Sequence, residues 1–394
     1  MEETTHQDFD IAIVGAGPAG SSAAIRLASA GLSVLLVEQK KFPRDKLCGE
    51  FVSPECFTHL DEVGVLPDLM SAGGANLRET KFFGRNGRSF GVESEWFTDD
   101  GKTALGLSRG VMDAVLMERA REAGVDVREE TSAAGLITDD GRVVGVNLTT
   151  KGHAETPVAA RLTIDATGRT RSLARKLGNA ELDKAPAEFV AFKTHVTGAL
   201  IPVDVCEMYT YRTGYGGCNK VEDDLYNLCF IAPAADTKRL GSDPERVLRE
   251  VVCGNARAAG SLADAIAVKP WLAVPITRFG RGELTPAEGL LTVGDSAAFV
   301  DPFTGSGILL ALQSARIMSA VITREIYNGF DQRNIATEYR RQYARAFDAR
   351  LRVCSLLRNA AFSPFIAETA IAALGLSRPL VRLVARATRS ERNL

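Results

Sequence analysis

The segment Gly15-Ala16-Gly17-Pro18-Ala19-Gly20 constrains this chain more than any other. It follows an apolar run over 9–14 that reads as a short buried parallel strand, and it opens an alanine-rich stretch over 18–30 that reads as a helix. Gly15 permits a tight strand-to-helix turn, Gly17 lets a pyrophosphate reach the backbone, and Gly20 lets the helix pack closely on the sheet. Pro18 and Ala19 begin the helix, whose start offers unpaired N–H groups and a partial positive charge to a phosphate. The helix stops at Gly31. A second strand over 33–37 leads to Glu38 and Gln39. Glu38 is placed to accept hydrogen bonds from a ribose, and its charge repels a 2′-phosphate. A βαβ unit that binds a dinucleotide is the expectation, and this motif alone leaves the dinucleotide open.

Further along, Ser108 reads as the N-cap of a helix that closes near Gly124. A strand over 125–127 follows, then a hairpin over 133–149 that turns at Asp139-Asp140-Gly141. Residues 161–164 form another buried strand, running into Asp165-Ala166-Thr167-Gly168. From 186 to 275 the pattern changes to alternating strand-like runs with aromatics, and a buried strand returns over 290–293. A long helix is expected over 307–327, and 331–394 reads as helical and rich in Arg and Ala. This order predicts a dinucleotide-binding domain in three pieces, 1–80, 105–180 and 276–330. Residues 81–104 and 186–275 supply an inserted, mostly antiparallel substrate domain, and 331–394 a helical C-terminal region.

The formal charge of -2 gives no reason to expect a nucleic-acid partner. The seven cysteines are scattered without metal-ligand spacing, which suggests no metal site and a reducing compartment. The polar start, Met1-Glu2-Glu3, is unlike a signal peptide, and no apolar run reaches the roughly 18 residues of a membrane span. A cytoplasmic location follows, with membrane contact at most peripheral. The segment for such contact is 376–390. Leu376, Leu380, Leu383, Val384 and Ala387 fall on one helical face, with Arg378, Arg382, Arg386 and Arg389 largely on the other. A basic amphipathic helix of this kind suits an anionic bilayer surface, or it packs on its own domain with the arginines in water. Nothing in the sequence fixes an oligomeric state.

A second glycine motif narrows the cofactor. Gly294-Asp295-Ser296 ends a buried strand, and Pro302, Gly305, Ser306 and Gly307 precede the long helix. An Asp at a strand end can meet hydroxyls. Exposed N–H groups at the helix start would stabilise negative charge on the N1–C2=O edge of a reduced flavin. Here the sequence resembles the flavoprotein superfamily of aromatic hydroxylases, flavin-dependent halogenases and geranylgeranyl reductases. In that superfamily the Gly-Asp pair binds the ribityl and pyrophosphate part of FAD. Arg109 with Asp113, and Asp165 with Gly168 and Arg169, match it as well. The resemblance runs from residue 9 to about 325 and thins across 186–275. It implies a Rossmann-type, glutathione-reductase-like α/β fold, noncovalent FAD, and NAD(P)H as transient electron donor.

The run Phe42-Pro43-Arg44-Asp45-Lys46-Leu47-Cys48-Gly49-Glu50 is similar to the Lys-x-Cys-Gly segment that lies near the flavin in geranylgeranyl reductases. Arg44, Cys48 and Gly49 thereby join the cofactor set. Arg44 and Lys46 could lower the thiol pKa of Cys48, which makes it the candidate catalytic residue. The plainer reading makes Cys48 a small apolar filler and Arg44 a surface charge. Tyr209, Tyr211 and Tyr215 are candidate substrate contacts, although strand alternation alone explains them equally well. His195 is expected on a strand, and none of the four histidines is assigned to catalysis.

Three functions stay open. One is geranylgeranyl-reductase-like reduction of a C=C bond in a lipophilic small molecule. Another is NAD(P)H- and O2-dependent hydroxylation, or halogenation, of an aromatic or polyketide-type substrate. The third is a flavin-binding electron-transfer protein without turnover. The Trp-x-Trp-x-Ile-Pro run of halogenases is absent. Their Phe-x-x-Pro-x-x-Ser-x-Gly run is matched at Phe299, Pro302 and Gly307, but Gly305 stands in place of Ser.

Overall fold

The computed structural model describes residues 8–98, 100–178, 186–277, 279–299, 303, 305–326 and 328–388. The strand Phe9–Val14 lies inside a seven-stranded sheet, paired in parallel with Val34–Val37 on one side and Thr156–Asp165 on the other. Ile11, Ala12 and Ile13 are fully buried, because both faces of the sheet are covered. The strand Asp126–Arg128 extends one edge. The hairpin Thr131–Asp139 and Arg142–Thr150 extends the other. Thr156–Asp165 is longer than its apolar core suggested. Its first half pairs antiparallel with the hairpin and its second half pairs in parallel with Phe9–Val14 and Leu290–Thr292.

Helices Pro18–Ser29, Arg109–Glu122 and Gly307–Ile326 pack together beside this sheet. Ser108 caps the second, its Oγ accepting from Val111 N at 3.2 Å. Gly307–Ile326 buries Leu309, Leu310, Leu312 and Met318 completely. This is the Rossmann-type α/β architecture implied by the sequence, with an antiparallel sheet and C-terminal helices added.

The second sheet has eight strands. Its main path runs Ile266–Ala267, Phe189–Thr197, Tyr226–Pro233, Gly214–Lys220, Val205–Tyr211, Glu79–Phe83 and Ser89–Glu93, and Leu272–Ile276 pairs with Phe189–Thr197. Only the contact between Val205–Tyr211 and Glu79–Phe83 is parallel. A three-stranded sheet of Phe51–Val52, Ala104–Gly106 and Ala75–Leu77 was not foreseen, because its strands are too short to show a period.

The expectation of strands throughout 186–275 also needs correction. Helices Ala234–Arg239, Pro244–Glu250 and Ala256–Ser261 interrupt it. Asp243 caps the second through Glu245 N at 2.9 Å, and Asn255 caps the third through Arg257 N at 2.9 Å. Leu240, Val247, Leu248 and Ala258 from this segment pack against Phe192, Tyr209, Tyr211 and Phe230 on one face of the sheet. The other face is crossed by Pro364–Leu374 and Arg378–Ala387, which follow the long helix Gln332–Ala361. No helix among the described residues is long and apolar enough to cross a membrane.

Candidate active site

Two of the motif glycines serve packing. A Cβ at Gly20 would sit 1.8 Å from Gly15 O, and one at Gly15 would sit 2.4 Å from Ala166 O. Gly15 also has a φ of +108°, a value that favours glycine. Gly17 differs. A Cβ there would meet only the Arg109 guanidinium, at 3.5 Å, so the backbone is open to the cleft. The helix that begins at Pro18 and Ala19 has no side-chain cap at Gly17, which leaves its N–H groups available to a ligand.

Around this opening the charges form a chain. Glu38 accepts from Ala16 N at 3.2 Å and Lys40 N at 3.1 Å, and it pairs with Arg44 at 3.1 Å. Arg44 pairs in turn with Asp113 at 3.2 Å. Asp113 holds Arg109 through two bonds of 2.8 and 2.7 Å. Gln39 is exposed beside Glu38. Arg44 is therefore no loose surface charge. Lys46 is pushed below its usual pKa by burial and by the neighbouring Arg109 and Arg44. The Asp295 carboxyl is pushed up by burial, against the pull of Lys46, Arg109 and Arg169. Arg109 thus reaches the open glycine at the uncapped helix start, with Arg44 and Lys46 close to it and their charge partly balanced by Glu38, Asp113 and Asp295. A pyrophosphate fits that arrangement better than any neutral ligand.

The Gly294 turn is held by Gly294 N donating to Ser314 Oγ at 3.0 Å. A Cβ at Gly294 would lie 2.8 Å from that of Ala19, so this turn meets the first helix. Asp165 has a different task from the one expected. Its carboxylate accepts from Thr167 N and Oγ1 (3.0 and 2.6 Å), Ser296 Oγ (3.1 Å), Leu173 N (3.1 Å) and Ala174 N (3.0 Å). Fully buried and fully engaged, it staples the Gly168 loop to Ser296 and has no oxygen left for a cofactor. Gly168 and Gly307 are open, with nothing within 4 Å of an added Cβ. Ser306 is buried at the start of the long helix, and Pro302 lies outside the described residues.

Cys48 is half-buried, with its thiol against the Arg109 guanidinium and 3.4 Å from the donating Glu50 N. Behind it lies a cluster that sequence reasoning missed. Glu50 is completely buried, pairing with Lys193 Nζ at 2.5 Å and His195 Nε2 at 2.6 Å and accepting from Arg109 N at 2.8 Å. Burial raises the Glu50 pKa, but the His195 bond and the Lys193 charge outweigh it and hold the carboxyl below its ordinary range. Glu50 also has a left-handed backbone, with φ 51°. The available signal was Lys193 and His195 two apart in an apolar strand, a polar row where alternation points inward.

Beyond Gly49 and Gly305 opens a cavity of about 190 Å³. Its floor is one face of the eight-stranded sheet. Antiparallel register puts Tyr215 opposite Ile231, Gly217 opposite Cys229, and Met208 opposite Gly217. Phe82 stacks on Phe90, with ring centroids 4.9 Å apart. Ile371, Leu374, Val381 and Val384 from the last two helices form the roof. Tyr215 faces the cavity, its hydroxyl accepting from Phe303 N at 3.1 Å. Tyr209 and Tyr211 do not. They occupy the opposite face, in the core, where Tyr209 donates to Glu207 at 2.8 Å and Tyr211 to Ile231 O at 2.7 Å. Strand alternation, the plainer account of these residues, holds for Tyr209 and Tyr211, which it puts on the far side.

The C-terminal helix is likewise rotated from the expected faces. Val381, Val384 and Ala385 turn to the cavity, Leu380, Leu383 and Ala387 are exposed with Arg382, and Leu376 is exposed before the helix begins. Arg378 pairs with Glu93 at 3.0 Å, and Arg386 donates to Trp96 O at 3.1 Å. Arg389 lies outside the described residues.

Residues 8–347 match the family described as FAD binding domain. Among curated proteins the chain is 31% identical, over 78% of its own length and 74% of the relative's, to a digeranylgeranylglycerophospholipid reductase of Methanosarcina mazei. It is 27% identical to conditioned medium factor receptor 1 of Dictyostelium discoideum, over 85% of this chain and 66% of that one. Among solved structures, a flavin-dependent brominase superposes with a TM-score of 0.78 at 19% identity, covering 98% of this chain and 96% of that one. A geranylgeranyl bacteriochlorophyll reductase-like protein of Thermoplasma acidophilum gives 0.71 at 21%, covering 97% and 92%. At such identities the structural likeness speaks for the fold alone.

Proposed function

This chain belongs to the FAD-binding-domain family, is an FAD-dependent oxidoreductase, and has geranylgeranyl-lipid reductases among its relatives; from that premise we propose that it reduces a C=C bond in a lipophilic small molecule. The observation that carries the reading is the cavity, apolar along its floor and roof and beginning at Gly49 and Gly305 beside the cofactor cleft. The reductases among its relatives are named for a substrate with geranylgeranyl chains. Such a chain matches a wall of Phe82, Phe90, Met208, Ile231 and Ile371.

In this reading the open backbone at Gly17 and the start of the helix at Pro18 hold the pyrophosphate of FAD, with Arg44, Lys46 and Arg109 supplying positive charge. Glu38 orients the adenosine end. Gly294, Asp295 and the Gly305-Ser306-Gly307 helix start hold the flavin end, with Cys48 and Gly49 beside it. Bound FAD supplies a two-electron carrier that NAD(P)H reloads. The chain's own task is to place the substrate alkene at Gly49 and Gly305 and to keep water out. The outward leucines of the roof, with Arg382 between them, would let a membrane-dissolved substrate arrive at an anionic bilayer surface.

A defined experiment separates the reactions. The enzyme is reduced anaerobically with NADH or NADPH, then mixed with a geranylgeranyl lipid or with oxygen. Reduction predicts a product that gains one H2 per double bond and no long-lived C4a-hydroperoxide. Oxygenation or halogenation predicts that intermediate and a labelled oxygen or halogen in the product. Flavin that reoxidises without changing either substrate would leave electron transfer.

A further inference from the structure

We propose that Cys229 is the acid of the cavity wall, reprotonated by the buried Lys193–Glu50–His195 cluster. The inference rests on the reductive reading above. Adding hydrogen across a C=C bond takes a hydride equivalent, from a reduced flavin, and a proton. The proton comes from a side chain on a mostly apolar wall, where one hydroxyl of note is that of Tyr215, which accepts from Phe303 N.

Few groups there can give one. The Cys206 thiol is directed to Asn219 Oδ1 at 3.9 Å, and Thr210 Oγ1 to Phe83 O at 3.3 Å. Cys229 lines the cavity on the same face as Gly217, its partner in the sheet. Its partner on the other side is Lys193, so the ammonium lies on that face too. Lys193 in turn bonds Glu50, and Glu50 bonds His195. Asn227, on the same row as Cys229 and opposite His195, ties the Cys48 carbonyl to the strand at 3.2 Å. The thiol at the cavity thus has the buried ionisable cluster as its cross-strand neighbour.

Burial pushes the Cys229 thiol up to about 12, with Cys48 and Glu50 adding to the rise and Lys193 opposing it. The group is therefore protonated across the working pH range. In the step, the S–H bond of Cys229 breaks and the alkene π pair takes that proton to form a C–H bond. The hydride forms the C–H bond at the other carbon. The thiolate left behind faces the Lys193 ammonium, which returns a proton. Glu50, bonded to both, relays a proton from His195 to Lys193, and water restores it.

The first test reads the thiol without turnover. Alkylation of Cys229 by iodoacetamide is followed against pH by peptide mass spectrometry, in wild type and in Lys193→Met. Loss of the opposing cation should move the profile up by about one unit, a tenfold loss of thiolate at fixed pH, with Lys193→Arg restoring it. An unmoved profile overturns the coupling. Lys193→Arg also guards against a Met variant that fails to fold.

The second test reads the reaction. Cys229→Ala and Cys229→Ser should lower kcat on a geranylgeranyl lipid by roughly 10²- to 10⁴-fold, with flavin reduction by NAD(P)H unchanged. Wild-type turnover in both variants overturns the assignment, as does its loss in Tyr215→Phe instead. A wild-type enzyme that oxygenates or halogenates, and reduces no alkene, overturns the reductive reading and this inference with it.

Discussion

The two faces of the eight-stranded sheet differ in what meets them. On the face covered by the helices of 234–261, Phe192, Tyr209, Tyr211 and Phe230 are fully packed against Leu240, Val247 and Ala258. Even its buried carboxylate is satisfied, since Glu207 meets Arg257 at 2.6 Å, Ser261 at 2.7 Å and Tyr209 at 2.8 Å. On the other face Phe82, Met208 and Tyr215 border open volume, and the polar row of Lys193, His195 and Asn227 ends at Glu50 and Cys48. Neighbours in one strand therefore divide between stability and function. A single residue of register separates the roles.

That division breaks if the faces respond alike to truncation. Tyr211→Ala should cost about 3–5 kcal/mol, since a large ring leaves a packed core. Phe82→Ala, whose ring already borders a cavity, should cost less than half as much and should weaken substrate binding instead. Urea unfolding of both variants measures the contrast. Equal losses would mean that the cavity is closed in solution.

The cofactor end sharpens the comparison, because its polar groups face a ligand. Glu38→Ala should weaken FAD retention by about 1.5–3 kcal/mol through lost charge-assisted bonds, read by flavin release on a desalting column. Retention equal to wild type would remove Glu38 from the site.

Glu50 sits between the two regions, and its signature is acid sensitivity. Its folded pKa is depressed, so its contribution to stability is complete above the unfolded value and is lost as pH falls through the lower, folded one. Glu50→Gln should therefore destabilise near neutral pH, by about 1.5–3 kcal/mol, and flatten the fall in stability below the ordinary glutamate range. An unchanged acid limb, followed by circular dichroism, would show that Lys193 and His195 do not hold that carboxylate charged.

The legible parts share a physical reason. Gly15, Gly17 and Gly20 were readable because backbone conformation and close approach exclude other residues, and those demands are local. Ser108 was readable as a cap for the same reason. The Glu50 cluster was not, because its members lie 143 and 145 residues apart and alternation gives a face without naming the partner. Asp165 was placed at the right loop, but its task depended on Ser296 and Leu173, which only the fold brings near. The helices of 234–261 have six or seven residues each, less than two full turns in which a helical period could show.

The smallest expected change in stability belongs to the roof. Leu376, Leu380 and Leu383 are 89%, 42% and 68% exposed, while Val381 between them is 3% exposed and closes the cavity. Replacing the three leucines by serine removes little packed surface, most of it at Leu380, so stability should stay within about 1 kcal/mol of wild type. Binding to anionic vesicles should fall sharply in co-sedimentation, and turnover of a water-soluble short-chain alkene should be unaffected. Val381→Ser makes the opposite pattern, sparing vesicle binding and impairing turnover of long and short substrates alike. If the leucine variant sediments like wild type, the outward row meets no bilayer, and the roof is only the cover of the cavity beneath it.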